Sequence, residues 1–138
     1  MSDKILYETK NVQMYIDESV PCLINVWNGF IPSKNFREAL YKLVDLIKEH
    51  RPHYPELHLL ADTRTLGVVS REDVAWVSSE INPLYLEAGS QFEAFVLSQD
   101  AFGQMAVKRY ASQTTEKGSF TVQMFTDIDE AKAWLKSV

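Results

Sequence analysis

At 138 residues, with 46% hydrophobic and 24% charged side chains, the chain has the composition of one globular domain spanning 1–138. Its formal net charge of −5, without any block of Lys and Arg, argues against a nucleic-acid partner and against a polybasic membrane patch. Nothing approaches the roughly 18 consecutive apolar residues of a membrane span, and Cys22 is the sole cysteine, so no internal disulfide can form.

Met1-Ser2-Asp3-Lys4 leads into a strand pattern without an apolar leader core, so a cytoplasmic protein is the expectation. Lys4 to Glu8 is a candidate edge strand. Val12, Met14 and Ile16 alternate with polar or amphipathic neighbours, the signature of a half-buried strand. Glu18-Ser19-Val20-Pro21 makes a tight turn into a second strand, Cys22 to Trp27, and so short a connection implies an antiparallel pair. Cys22, among apolar residues at that strand's start, reads as a packed and inert thiol.

Ser33 is the expected N-cap of a helix with Phe36, Leu40, Leu43, Val44 and Ile47 on one face, ending near His50. Pro52 and Pro55 bracket a break before an apolar strand, Leu57 to Ala61. That strand is expected to end at Asp62, with Arg64 two residues on. A loop from Thr63 to Ser70 follows, longer than the roughly two to six residues usual between strand and helix. Ser70 caps the next helix, whose Val74, Val77 and Ile81 face inward. Pro83 predicts a break there, with Asn82 as a new N-cap and Pro83 as the first residue of a short helix to Ala88. Gly89 ends it.

Phe92 to Ser98 reads as a strand. Asp100 caps a helix carrying Phe102, Met105, Ala106 and Tyr110, and the polar run Ser112 to Gly118 is expected to be a loop. Phe120, Val122 and Met124 alternate in a last strand. Asp127 then caps a C-terminal helix with Ile128, Ala131, Trp134, Leu135 and Val138 inward. The fold class is α/β: a mixed sheet of about five strands, antiparallel at the N-terminal hairpin and otherwise mostly parallel, with about four main helices.

Asp62 and Arg64 form an ion pair in the structural reading and line a binding crevice in the functional one, since ligands collect beyond the carboxyl ends of parallel strands. Trp27 leaves its strand toward a loop. Trp76 lies about 100° from Val77 and about 160° from Val74 around the helix, off the core stripe, where it packs on the loop or faces a partner. Ser70 is a cap first; phosphate there would sit at a helix N-terminus, favoured by the dipole and Arg71 and opposed by Glu72 and Asp73. His50, His53 and His58 occupy three different backbone contexts and make no metal set, His50 instead serving the C-terminus of its helix. No Gly-x-Ser-x-Gly, phosphate loop or His-Glu-x-x-His occurs, so no enzyme and no cofactor are expected.

Four stretches, Val26-Trp27-Asn28-Gly29, Leu59-Leu60-Ala61-Asp62, Ser70-Arg71-Glu72-Asp73-Val74-Ala75-Trp76 and Phe125-Thr126-Asp127 with Glu130-Ala131 and Trp134-Leu135, carry a resemblance over nearly the whole length. The chain resembles the SpoIIAA-like superfamily of small STAS-type domains and their CRAL-TRIO-like relatives. The resemblance implies a mixed sheet with helices chiefly on one face. In anti-sigma-factor antagonists of that fold a serine in an Asp-Ser-x-Gly-like motif is phosphorylated; Ser70 lies near that place, but Arg71 and Glu72 follow it. The CRAL-TRIO-like branch implies an apolar ligand. The leading expectation is a non-enzymatic signalling or ligand-binding domain that docks a protein partner or a small apolar ligand around Trp27, Asp62, Arg64, Ser70 and Trp76. The alternatives are a phosphorylation-controlled regulator using Ser70 and an enzyme with an unrecognised site. A homodimer through an exposed aromatic surface is the default assembly.

Overall fold

The computed structural model describes residues 4–98, 101–117 and 120–138. Six strands form one sheet in sequential order: β1 (Ile5–Glu8), β2 (Val12–Asp17), β3 (Cys22–Gly29), β4 (His58–Leu66), β5 (Phe92–Val96) and β6 (Thr121–Phe125). The first two pairings are antiparallel and the last three parallel. The expected N-terminal hairpin is present as β2 and β3, and the candidate edge strand is real, which raises the expected five strands to six.

Four helical segments cover the sheet among the described residues: α1 (Ser33–His50), a composite of α2 (Arg71–Trp76), a π-helical turn (Val77–Ile81) and α3 (Asn82–Glu87), then α4 (Ala101–Lys117) and α5 (Ile128–Ser137). Because successive parallel strands advance in one direction, right-handed crossovers bring α1, the composite segment and α4 onto one face. The core follows that division. Leu40, Leu43, Val74, Ile81 and Val107 meet Leu23, Trp27, Leu59, Ala61 and Phe95 on the first face. Ala131 and Leu135 of α5 meet Cys22, Ile24, Leu60, Ala94 and Val96 on the second. Each fully buried Leu, Ile or Phe stabilises the fold by about 1.5–3 kcal/mol, so α1, with six buried apolar residues, is held chiefly by tertiary packing.

Several local expectations change. β4 does not stop at Asp62 but continues to Leu66, because the long β3 still offers Asn28 and Gly29 as partners for Thr65 and Leu66. The connection to α2 is therefore only residues 67–70, an ordinary length, and it is tied down where the Gly67 N–H donates to the Gly29 carbonyl at 3.0 Å. Ser33 is inside α1, with Pro32 at the cap; its hydroxyl donates to Asp73 instead. Asn82 caps nothing. The chain stays helical through Pro83 because the π turn shifts the register, the Asn82 N–H reaching back five residues to the Val77 carbonyl. That widened turn accommodates the missing proline donor and leaves the Asn82 side chain for tertiary use.

The run Ser112 to Lys117 is helical rather than a loop, since the buried Thr114 hydroxyl accepts from Asn82 at 3.1 Å and this contact outweighs the weak helix propensity of Ser and Thr. Met105 and Val138 are exposed, not inward. Ser70 and Asp127 do cap their helices, accepting from the Asp73 and Asp129 N–H groups. Gly89 ends the composite segment at φ +94°, where a Cβ would strike the Arg51 side chain. Asp100 lies outside the described residues, as does the side chain of Phe102. Among the described residues, no helix is long and apolar enough to cross a membrane.

Candidate functional site

Between the first face of the sheet and its three helical layers lies a cavity of about 70 Å³. Its walls are apolar and aromatic: Trp27 from β3, Phe36 and Leu40 from α1, Val74 and Val77 from the composite segment, Phe95 from β5. Phe36 and Val69 are the lining side chains that retain partial exposure, which places the way in between the start of α1 and the short β4–α2 loop. Exposed Phe30 and Val68 stand on the two loops that meet there.

Into this apolar space β5 presents a carboxyl. Glu93 pairs with Leu59 and Val122 in the interior of the parallel sheet and is only 4% exposed. Tyr110 of α4 reaches it with its hydroxyl, 3.2 Å from Glu93 Oε1 and 2.7 Å from Asn82 Oδ1. Asn82 Nδ2 in turn donates to Thr114 Oγ1. The result is a polar relay from β5 through α4 to α3, closed inside the core. Burial pushes the Glu93 carboxyl up to about 8, with the Tyr110 hydroxyl working against that rise. Burial also raises the Tyr85 and Tyr110 phenols well above their usual value. A carboxyl kept neutral at pH 7 can donate a hydrogen bond, which a carboxylate cannot.

Comparison with family models, with curated proteins and with solved structures finds no match to this chain.

The sequence-predicted residues separate onto different parts of the molecule. Trp27 lines the cavity, its Nε1 donating to Asn25 Oδ1 at 2.7 Å and its ring 5.4 Å from Phe36. Trp76 does not line it. It is half-buried on the outside of the α1–α2 junction, edge-on to Tyr41 at 5.5 Å and beneath the Arg37 guanidinium at 4.7 Å. Arg37 Nε and Ser33 Oγ both donate to buried Asp73, so this cluster fastens α2 to α1. Ser70 is exposed at the start of α2, its oxygen engaged by the Asp73 N–H at 3.1 Å.

Asp62 and Arg64 belong to the opposite face. Asp62 sits within β4 rather than at its end, beside Val26 and Val96. Arg64 grips it with two guanidinium nitrogens, at 3.0 and 2.8 Å, and with its own backbone N–H at 3.2 Å. That grip holds the Arg64 guanidinium above its usual value, and Asp127 at the α5 N-cap adds to it. The crevice predicted to join Trp27, Arg64 and Trp76 does not form as one space, because alternation along β3 and β4 sends Trp27 and Arg64 to opposite faces and the phase of α2 turns Trp76 outward from the cavity.

The residues missed were Glu93, Tyr110 and Asn82. One signal was present: Glu93 is the lone charge in Phe92-Glu93-Ala94-Phe95-Val96, an otherwise apolar run of the kind that becomes a strand buried on both faces. The partners that give it meaning come from 11 and 17 residues away in sequence, on two helices, and no spacing rule connects them. The three histidines stay apart in role. His50 Nδ1 lies 3.0 Å from the Leu46 carbonyl at the end of α1, and His58 meets Phe92 edge-on, its imidazole pushed down by burial and by Arg51. Among the described residues, His, Cys, Asp and Glu form no group of three able to hold a metal ion.

Proposed function

We propose that this chain is a non-enzymatic, cytoplasmic binding domain whose interior cavity takes a small, mainly apolar ligand. The observation that carries the reading is the apolar, aromatic-walled cavity with a single buried carboxyl presented to it. Ligand sites are concave and mostly apolar, with few convergent polar groups to fix orientation, and this cavity has that composition. A carboxyl buried without a cation costs the fold stability, and such a group in a cavity points to a binding or reactive site. The resemblance to CRAL-TRIO-like domains, a branch associated with apolar ligands, supports the same reading. The opening beside Phe36 and Val69 lies at the carboxyl edge of the parallel strands, next to the loop that joins β4 to α2.

Native mass spectrometry and thermal-shift screening of the purified protein test this. A bound small molecule, or a panel of small apolar compounds that raises Tm, is the expected result. Ala106→Phe, which fills the cavity from α4, is expected to abolish it. Equal shifts in the wild type and in Ala106→Phe would place binding elsewhere.

The same carboxyl favours a second reading, acid–base catalysis by Glu93. A carboxyl near 8 is poised to exchange protons at physiological pH. Deuterium exchange at the carbons next to the carbonyl of an added ketone, followed by NMR, separates the two. Exchange that is catalysed by the wild type and lost in Glu93→Gln makes the protein an enzyme; exchange at the solvent rate leaves it a binder.

A further inference from the structure

The two margins of the sheet are built differently. β1 breaks its register between Ile5 and Tyr7 and ends on Glu8, a bulge and a charge of the kind that keep an edge strand from pairing further. β6, at the other margin, is Thr121-Val122-Gln123-Met124-Phe125, regular in its pairing and without a proline or a charged residue. The ladder to β5 fixes which of its backbone groups face outward. The Thr121 N–H donates to the Gln91 carbonyl at 2.9 Å, and the Phe125 carbonyl accepts from the Leu97 N–H at 2.8 Å. Alternate residues of a strand turn their backbone groups to one neighbour, so Thr121, Gln123 and Phe125 bond inward, while Val122 and Met124 hold N–H and C=O out to the free margin. Among the described residues nothing pairs with those outward groups. Apolar side chains flank them on both faces. Met124 is 38% exposed beside the partly buried Val122, and Phe125 is partly exposed against Trp134 at 5.9 Å.

We propose that β6 pairs antiparallel with β6 of a second copy of this chain, about a two-fold axis through Gln123, joining the two sheets into one. The symmetry of the strand selects that occupant. With Gln123 opposite Gln123, the outward groups of Val122 meet those of Met124 in the second copy, and the reverse. Each of the two pairs exchanges two hydrogen bonds, so every free group of the margin finds a partner. A register moved by one residue sets outward groups against inward-bonded ones and loses them all. A register moved by two satisfies one residue and strands the other. The side chains agree with the central register. Val122 lies on Met124 of the second copy, apolar on apolar, over the α4 face. On the α5 face the two Gln123 amides, each with donors and an acceptor, meet at the axis, and Thr121 lies beside Phe125 of the second copy. No like charges oppose one another within the paired strands, although the chain as a whole carries −5. A foreign extended segment would satisfy the same backbone groups. The symmetry about Gln123 is used only by self-pairing.

Sedimentation velocity of the wild type from ~1 μM to ~1 mM is expected to show a monomer–dimer equilibrium with a Kd of about 10–100 μM, in keeping with an interface under about 1,200 Å². Met124→Lys puts a charge on a partly exposed position of the edge and leaves the monomer's Tm unchanged; it is expected to raise that Kd at least tenfold. Gln123→Cys reads the register. A non-hydrogen-bonded antiparallel pair sets its Cα atoms about 4.5 Å apart, within disulfide reach, so diamide is expected to turn this variant into a covalent dimer. In Thr121→Cys the two thiols sit more than about 13 Å apart and are expected to stay unlinked. The native Cys22 is buried, and the wild type serves as its control. A wild type that remains monomeric over the whole range overturns the proposal. So does a dimer that ignores Met124→Lys and leaves Gln123→Cys unlinked, because its interface then lies elsewhere. Cross-linking of Thr121→Cys in place of Gln123→Cys overturns the register and the symmetry argument with it. A monomer whose Val122 and Met124 amides gain exchange protection only on adding a synthetic peptide of alternating threonine and valine gives the margin to a foreign strand instead.

Discussion

Two carboxyl groups on neighbouring central strands meet opposite fates. Asp62 on β4 and Glu93 on β5 are 7% and 4% exposed, but they face opposite sides of the sheet. Asp62 is gripped by Arg64, whose guanidinium stands half in solvent, so the charge is neutralised by the neighbour two residues on. Glu93 has a phenol for company and no cation. The first arrangement is a local staple that any strand can carry; the second retains its proton and fronts a cavity. Burial alone does not mark a functional carboxyl. What its surroundings supply does.

The largest expected effect follows from that contrast. In the folded chain the Glu93 carboxyl lies near 8, against 4.5 for an ordinary glutamate. A raised carboxyl means that the folded state holds its proton while the unfolded chain has released it. The associated stability is therefore whole below about pH 4.5 and is lost progressively as pH rises to about 8. The loss is on the order of 4 kcal/mol. Urea midpoints of the wild type are expected to fall between pH 5 and pH 8, and Glu93→Gln is expected to flatten the profile, gaining on the wild type as pH rises. Parallel profiles for the two proteins would show that Glu93 is ionised in the fold and would erase the contrast with Asp62.

Asp73 comes next. It is 4% exposed and accepts from Ser33 and Arg37 while its own N–H is held by Ser70. Asp73→Ala removes two acceptor contacts, one of them charge-assisted, for about 2–3 kcal/mol. It also frees Arg37 from its place over Trp76, so Trp76 emission should shift to the red along with the loss of stability. An unchanged spectrum would detach Trp76 from the α1–α2 fastening.

Most of the architecture was legible because it rests on periodicity. The alternation at Val12 to Ile16, the apolar spacing from Phe36 to Ile47 and the caps at Ser70 and Asp127 are local signals, and each element they predict is present. The errors share one physical origin, partners distant in sequence. β4 runs on past Asp62 because β3 is there to pair with it, and α4 runs on through Ser112 because Thr114 is held by Asn82. Pro83 in the sequence predicts a break, whereas a π turn absorbs it. The site suffered most. Asp62, Arg64, Trp27 and Trp76 are close in sequence pattern, yet strand alternation and helix phase place them on separate surfaces. The Glu93 relay is assembled from β5, α3 and α4 and has no local signature beyond one charge in an apolar strand.

The smaller effects probe the outer features. Ser70→Ala removes the α2 cap and should cost about 1 kcal/mol, whereas Ser70→Asp keeps an acceptor for the Asp73 N–H and costs less. If the two variants recover the same partners in equal amount from a pull-down, the phosphorylation-controlled reading of Ser70 falls, whatever the cap is worth. Arg64→Ala should cost least, about 0.5–1 kcal/mol, because the guanidinium is half in solvent and Asp62 Oδ1 keeps the Arg64 backbone N–H at 3.2 Å. Part of that cost should vanish at high salt, as expected of a pair open to solvent. Binding of a small apolar ligand in the cavity should be untouched, since Arg64 stands on the α5 face and the cavity on the other. A variant that folds normally but loses the ligand would mean that the two faces communicate through β4, and that the carboxyl gripped by arginine and the carboxyl left protonated act together.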